Sequence, residues 1–175
     1  MKTVVLAGPE SSGKSWLGGV LQARYEGLLV REYVREFIEQ AGRDTVYADI
    51  DAIARGQLAN EAWARQQQPR LLILDTHLLS NMLWSRTLFG DCPAWLEPAL
   101  LAQPYDLHLL LSPDGVPWVH DSQRCQPNLM DRQAFFAQSE RWLRENDQPY
   151  QVLHGSWSDR QAAALSAVER LLARP

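Results

Sequence analysis

Short apolar runs and longer amphipathic stretches alternate along this chain from end to end. "TVVLAG" (Thr3 to Gly8) is apolar and ends in glycine, the pattern of a buried parallel strand. A polar loop follows, then a helix predicted from near Gly13 to about Tyr25. "LLVREY" (Leu28 to Tyr33) predicts a second strand, and a polar, helix-rich region runs from Val34 to about Gln68 with a break at Gly42. Pro69 stops that helix, and "LLILDT" (Leu71 to Thr76) is the third and strongest strand. Helical material fills Leu78 to Gln103, interrupted around "GDCP" (Gly90 to Pro93), before a fourth strand in "YDLHLLLS" (Tyr105 to Ser112). Pro113 to Met130 holds three prolines and many polar residues and reads as a long loop or lid. Phe135, Phe136, Trp142 and Leu143 mark one face of a helix from about Arg132 to Asn146. "YQVLHG" (Tyr150 to Gly155) predicts the fifth strand. A last helix opens with Ser158 and Gln161 at capping-box spacing and carries Leu165, Val168, Leu171 and Leu172 on one face.

Five strands separated by helices imply an α/β sheet with crossover connections, hence mostly parallel. There is no internal repeat and no convincing linker, so one domain is expected over residues 1–175. Hydrophobic residues make up 46% of the chain, enough for a core. The net charge of −4 argues against a nucleic-acid binder, which is usually basic, and toward a small-molecule partner. Cys92 and Cys125 form no CxxC pair, and the four histidines lack metal-ligand spacing, so neither a disulfide framework nor a zinc site is expected. The apolar N-terminal run is too short for a signal peptide, and no stretch is long enough to span a membrane. The expectation is a soluble, cytoplasmic protein.

The chemistry is concentrated in "GPESSGKS" (Gly8 to Ser15), which matches Gly-x-x-x-x-Gly-Lys-Ser between a strand and a helix. Such a loop wraps backbone N–H groups around phosphate oxygens at a helix N-terminus. Gly8, Glu10, Ser11, Ser12, Gly13, Lys14, Ser15 and Trp16 are therefore expected to hold a nucleotide, with Lys14 reaching the β- and γ-phosphates and Ser15 binding Mg²⁺. Asp75, ending the third strand, is placed to hold a water on that metal ion. Glu32 ends the second strand at the same sheet edge, where ligands of open α/β sheets gather. Two readings of it stand: a base for an attacking hydroxyl, or a salt-bridge partner of Arg35. Arg124 and Arg132 flank Asp121 and Asp131 at the lid and suit the charge that phosphoryl transfer spreads over the migrating group. Trp118, in "VPWVHD", is a candidate to stack on a flat ring. The other six tryptophans (Trp16, Trp63, Trp84, Trp95, Trp142 and Trp157) read as core or helix-packing residues.

These features together resemble the ribosylnicotinamide kinase domain of NadR-type proteins, within the P-loop kinases. The resemblance runs through "GPESSGKS", "REYVREFI", "DIDAIARGQ", "LLILDT", "YDLHLLL" and "PWVHDSQR", nearly the whole chain. It implies a three-layer α/β/α P-loop fold with strand order 2-3-1-4-5 and a lid after the fourth strand. It also implies ATP and Mg²⁺ as cofactors, and transfer of phosphate to the 5′-hydroxyl of nicotinamide riboside. Lys14 and Ser15 match the ATP–Mg²⁺ loop, Asp75 the metal-side carboxylate, and Arg124 and Arg132 the lid arginines. Glu10, Glu32, Tyr33, Arg35, Asp75 and Trp118 are expected on the acceptor side, with either Glu32 or Asp75 taking the proton. His77 stands where a second acid is expected. NadR-type proteins often carry an adenylyltransferase domain, absent from this sequence, so the chain is expected to stop at the mononucleotide. The loop also resembles that of RecA-type recombinases, but the chain is short and acidic and has an arginine-bearing lid. Other P-loop kinases of nucleosides or nucleotides, and a regulatory ATPase, are the remaining alternatives. Glu10 itself admits two roles: contact with an acceptor hydroxyl, or a salt bridge to a nearby arginine.

Overall fold

The five apolar runs become five parallel strands in the order β2-β3-β1-β4-β5, in a computed structural model that describes residues 1–121 and 123–174. In chain order the elements are β1 (Lys2–Ala7), α1 (Lys14–Tyr25), β2 (Leu28–Val30), α2 (Tyr33–Ala41), α3 (Ile50–Gln66), β3 (Leu71–Asp75), α4 (Leu78–Phe89), α5 (Leu96–Leu101), β4 (Leu107–Leu111), α6 (Leu129–Glu145), β5 (Tyr150–Leu153) and α7 (Trp157–Leu172). Each crossover is helical, as parallel pairing requires. The order implied by the resemblance is the order observed. Ser122, inside the predicted lid, lies outside the described residues.

Both faces of the sheet are covered, which explains why its strands read as continuous apolar runs rather than alternating ones. Val5, Leu72, Leu74 and Leu110 face one side and pack with residues of α3, α4, α5 and α6. Val4, Leu6, Leu71, Ile73, Leu109 and Leu111 face the other, against α1 and α7. The result is a three-layer α/β/α sandwich. Register places Leu6 opposite Asp75 and Ala7 opposite Leu110, so β1 delivers the phosphate loop between the ends of β3 and β4.

Three boundaries differ from expectation. β2 stops at Val30, so Glu32 is not a strand residue but the N-cap of α2, with extended backbone (φ −62°, ψ 113°). The sixth helix begins at Leu129 because Asn128 caps it, its side chain accepting from the Met130 N–H. The last helix begins at Trp157, and its capping box is Ser156 with Asp159, not Ser158 with Gln161. Ser156 Oγ accepts the Asp159 N–H, and the Asp159 carboxylate accepts the Ser156 N–H at 2.9 Å. Ser156 and Asp159 thus satisfy two orphan donors reciprocally, whereas Gln161 stands two residues too far along to reach the Ser156 N–H.

The tryptophans also divide differently. Trp142 is buried and donates to Glu97, whereas Trp63 lies 58% exposed on α3, no core residue. Trp16 and Trp157 are both substantially exposed and meet edge to face at 5.0 Å beside the phosphate loop.

Candidate active site

The loop between β1 and α1 turns on left-handed backbone at Gly8 (φ 129°), Ser11 (φ 59°) and Gly13 (φ 97°). A Cβ on Gly8 would meet the Leu111 carbonyl oxygen at 2.6 Å, and one on Gly13 would run into the Trp157 ring, so both positions exclude a side chain. The buried Ser12 hydroxyl ties the turn internally by donating to the Pro9 carbonyl at 2.8 Å. Lys14 opens α1, and its ammonium donates to the carbonyls of Gly8 (3.0 Å) and Pro9 (2.7 Å), within the curve of the loop.

Ser15 Oγ donates to Asp75 Oδ2 at 2.7 Å, while buried Asp75 Oδ1 has no hydrogen-bond partner among the described residues. A hydroxyl and a carboxylate with a free oxygen are the hard donors a magnesium ion takes. Among the described residues no group of three or more His, Cys, Asp and Glu could hold a metal. That donor set fits an ion completed by water and phosphate oxygens, the usual habit of Mg²⁺. Asp75 is followed by Thr76 at φ 70°, a strained conformation for a β-branched residue, whose N–H is held by the Leu6 carbonyl at 3.1 Å.

Glu32 and Arg35 pair at 3.3 Å, and the Arg35 guanidinium also donates to Asp121 of the lid at 3.2 Å. Burial pushes the Glu32 carboxyl above its ordinary 4.5, opposed mainly by the Lys14 charge. Burial likewise pulls the Lys14 ammonium below 10.5, against the opposing pull of Glu32 and Asp75. The sequence motifs that carried the resemblance explain how Glu32 is placed. Tyr33 N–H donates to Gln57 Oε1 at 2.9 Å, and the Tyr33 ring packs where any side chain on Gly56 would stand. In "DIDAIARGQ", then, Gly-Gln grips the Glu-Tyr turn, while Asp49 pairs with Arg43 at 2.7 Å and Asp51 with Arg55 at 2.7 Å.

A cavity of about 580 Å³ opens from this loop. Glu10, Ser11, Gly13, Lys14, Ser15 and Trp16 line one end; Glu32 comes from the N-cap of α2, Arg35 from α2 itself and Arg124 from the lid. Ile38, Ile50, Ile53, Trp84, Leu88 and Phe89 supply an apolar and aromatic wall from α2, α3 and α4, with Asp44, Asn81 and Gln123 as polar groups. Among the described residues, the buried Asn81 Oδ1 and Gln123 Oε1 have no protein partner.

Four expected acceptor or lid residues, Asp75, Tyr33, Trp118 and Arg132, do not line this cavity; Asp75 is bonded instead to Ser15, which does. Tyr33 is turned onto Gly56, as described. Trp118 donates its indole N–H to Glu10 at 2.8 Å and meets His120 edge to face at 5.7 Å. Arg132 is buried on α6, and its guanidinium makes a long 3.5 Å contact with the Val116 carbonyl. Of the two roles open to Glu10, the salt bridge to an arginine is not formed among the described residues, because lid N–H groups occupy the carboxylate. Sequence reasoning missed Asn81, Trp84, Phe89 and Asp44; the one available signal was the polar Ser80–Asn81 pair interrupting an otherwise apolar helix start. It also missed Arg160, fully buried, which donates to the carbonyls of Ser112 (2.7 Å), Asp114 (2.9 Å) and Gly155 (2.9 Å) and ties the root of the lid to α7.

A family model described as an AAA domain matches residues 3–160. The chain belongs to that family. It is also homologous to NadR: the trifunctional NAD biosynthesis/regulator protein of Salmonella typhimurium (strain LT2) is 27% identical over 173 residues, 97% of this chain but 42% of that protein. The chain thus spans about two-fifths of the length of that curated relative. Among solved structures, a NadR protein in complex with NR superposes with a TM-score of 0.79 at 22% identity, over 99% of this chain and 52% of that one. Deoxyadenosine kinase from M. mycoides with bound dATP gives 0.66 at 14% identity, over 97% of this chain and 100% of that one. The fold of this AAA domain is therefore the fold of P-loop kinases.

Proposed function

We propose that this chain is an ATP-dependent kinase that phosphorylates the 5′-hydroxyl of nicotinamide riboside, giving nicotinamide mononucleotide. The observation that carries the reading is that one cavity joins Lys14 and Ser15 to Glu32 and, beyond it, to the Trp84–Phe89 wall. Bound ATP with Mg²⁺ supplies the γ-phosphoryl group. Lys14 and the loop N–H groups bind its phosphates, and Ser15 with Asp75 holds the ion. Glu32 accepts the proton of the attacking hydroxyl as its oxygen bonds to phosphorus and the bond to the ADP oxygen breaks. Arg124, lining the same cavity, offsets the charge on the migrating group.

The acceptor assignment draws on charge as well as on the NadR relatives. Glu10, Glu32 and Asp44 balance Lys14, Arg35 and Arg124 around the cavity. Arg35 is paired with both Glu32 at 3.3 Å and Asp121 at 3.2 Å, so on the Glu32 side little positive charge is left for an acceptor that already carries phosphate. A flat, cationic pyridinium suits an aromatic wall with a nearby carboxylate. A kinase for another nucleoside is the second reading, favoured by the likeness to deoxyadenosine kinase.

The test is incubation with MgATP and a panel of nicotinamide riboside, the common nucleosides and pantothenate, read as mononucleotide formed. Nicotinamide riboside is expected to turn over well ahead of the rest. An inert nicotinamide riboside beside an active nucleoside transfers the assignment to the second reading. ATP binding without turnover of any acceptor makes the protein a regulatory ATPase instead.

A further inference from the structure

An acid inside a phosphate-binding loop is electrostatically out of place, and the structure gives Glu10 a different set of partners. Its Oε1 accepts the Trp118 indole N–H at 2.8 Å and the Gln126 backbone N–H at 2.6 Å. Its Oε2 accepts the Cys125 N–H at 3.2 Å. The adjoining Ser11 adds two more ties: its hydroxyl accepts the Val119 N–H at 2.9 Å and donates to the Pro117 carbonyl at 3.3 Å. All five bonds run from two consecutive loop residues to the segment 117–126, more than a hundred positions away in the chain.

The arginine of the lid sits at the middle of this arrangement. Asp121 Oδ1 accepts the N–H groups of Gln123 (2.9 Å) and Arg124 (2.8 Å), and Glu10 accepts the next two, of Cys125 and Gln126. Four successive backbone donors are thus claimed by two carboxylates, one on the lid and one on the phosphate loop. Asp121 is joined in turn to Arg35 of α2, so the lid crosses the cavity from the loop to the Glu32 side. We propose that Glu10 is a positioning residue that latches the lid to the phosphate loop and acts on phosphoryl transfer through Arg124. The proposal rests on the kinase reading for its catalytic half, but the latch itself does not depend on which acceptor is used. Bonds to an ionised acceptor are shorter and stronger than neutral ones, which is why an acid rather than an amide suits the position. A glutamine keeps one acceptor oxygen, enough for the Trp118 and Gln126 donors, and loses the Cys125 bond.

Hydrogen exchange of the unliganded protein tests the latch without any acceptor. Glu10→Ala is expected to remove protection at the Cys125 and Gln126 amides while leaving the sheet amides unchanged, with Glu10→Gln intermediate. Trp118→Phe, which removes one donor from the opposite side, is expected to raise exchange in the same segment and serves if Glu10→Ala does not fold. Unchanged exchange at these amides overturns the latch. Kinetics then test the coupling with the acceptor that turns over fastest. Glu10→Ala is expected to lower kcat on the order of 10²-fold, the scale of a misplaced catalytic group, with little change in KM for ATP or acceptor. Glu10→Gln restores most of that loss. In an Arg124→Ala background, Glu10→Ala adds nothing. A raised acceptor KM at unchanged kcat, or losses that multiply with Arg124→Ala, overturns action through Arg124. If no acceptor turns over, the kinase reading fails while the exchange result still decides the latch.

Discussion

Glu32 and Lys14 shift each other's protonation in a shared desolvated space. Burial raises the acid and lowers the amine, and their mutual attraction moderates both shifts. A base in phosphoryl transfer must be ionised, and a raised Glu32 ionises only above its ordinary 4.5. Activity should therefore be lost on acidification at a higher pH than an exposed glutamate would set. Glu32→Gln is expected to lower kcat about 10²- to 10⁴-fold and to remove that acid limb from the kcat/KM profile. A variant that keeps both rate and limb would leave Glu32 as the salt-bridge partner of Arg35 alone. Lys14, Ser15 and Asp75 were legible as a set because their geometry follows from a local motif and the end of one strand. Glu10 was not, because its partners lie 108 to 116 positions along the chain and are two backbone N–H groups and an indole.

Among the elements, the helices were legible in number but not at their ends. Period and apolar content set where a helix runs, whereas its first residue depends on which nearby side chain reaches an orphan N–H. At the last helix two serines compete within three residues, and Ser156 wins because Asp159 stands three positions on. Ser156→Ala is expected to cost about 1 kcal/mol in urea denaturation and Ser158→Ala a few tenths at most. Equal losses would return the cap to Ser158. The tie of Tyr33 to Gly56 and Gln57 has the same character at larger separation. Tyr33 was expected on the acceptor side and is instead, with Gly56 and Gln57, the joint between α2 and α3 that aims Glu32.

Across the whole molecule, the sheet buries polar groups that no period reveals. His108 is fully buried in β4, donating from Nδ1 to the Pro149 carbonyl at 3.0 Å and accepting at Nε2 from His77 Nε2 at 3.2 Å. That chain of bonds requires a neutral His108, and burial lowers both rings, His108 to about 4. A base whose folded pKa is depressed costs stability as pH falls, because the unfolded chain takes up the proton first. The loss begins near 6.5 and continues to about 4. Between pH 7 and pH 5 it amounts to about 2 kcal/mol for His108. The raised carboxyls of Glu32 and Glu61 act in the opposite sense, so a comparison of variants isolates the histidine. His108→Gln is expected to shrink the pH 7 to pH 5 drop in unfolding free energy by about that amount, and an unaltered drop would place the ring's proton elsewhere.

The sequence by itself determined the alternation of strand and helix, the parallel sheet and the phosphate loop, because each follows from hydrophobic period or from backbone needs within eight residues of glycine and lysine. With the resemblance added, it also carried the strand order. Tertiary structure alone decided which side chains face the cavity. Trp118, Tyr33 and Arg132 are absent from its lining, while Asn81, Trp84 and Phe89 belong to it. The reason is geometric: a side chain's direction depends on the rotation of its element about neighbours distant in sequence, and the lid has no period to read. The acid in "GPESSGKS" shows the division most clearly, since its position is written in the loop and its partners only in the fold.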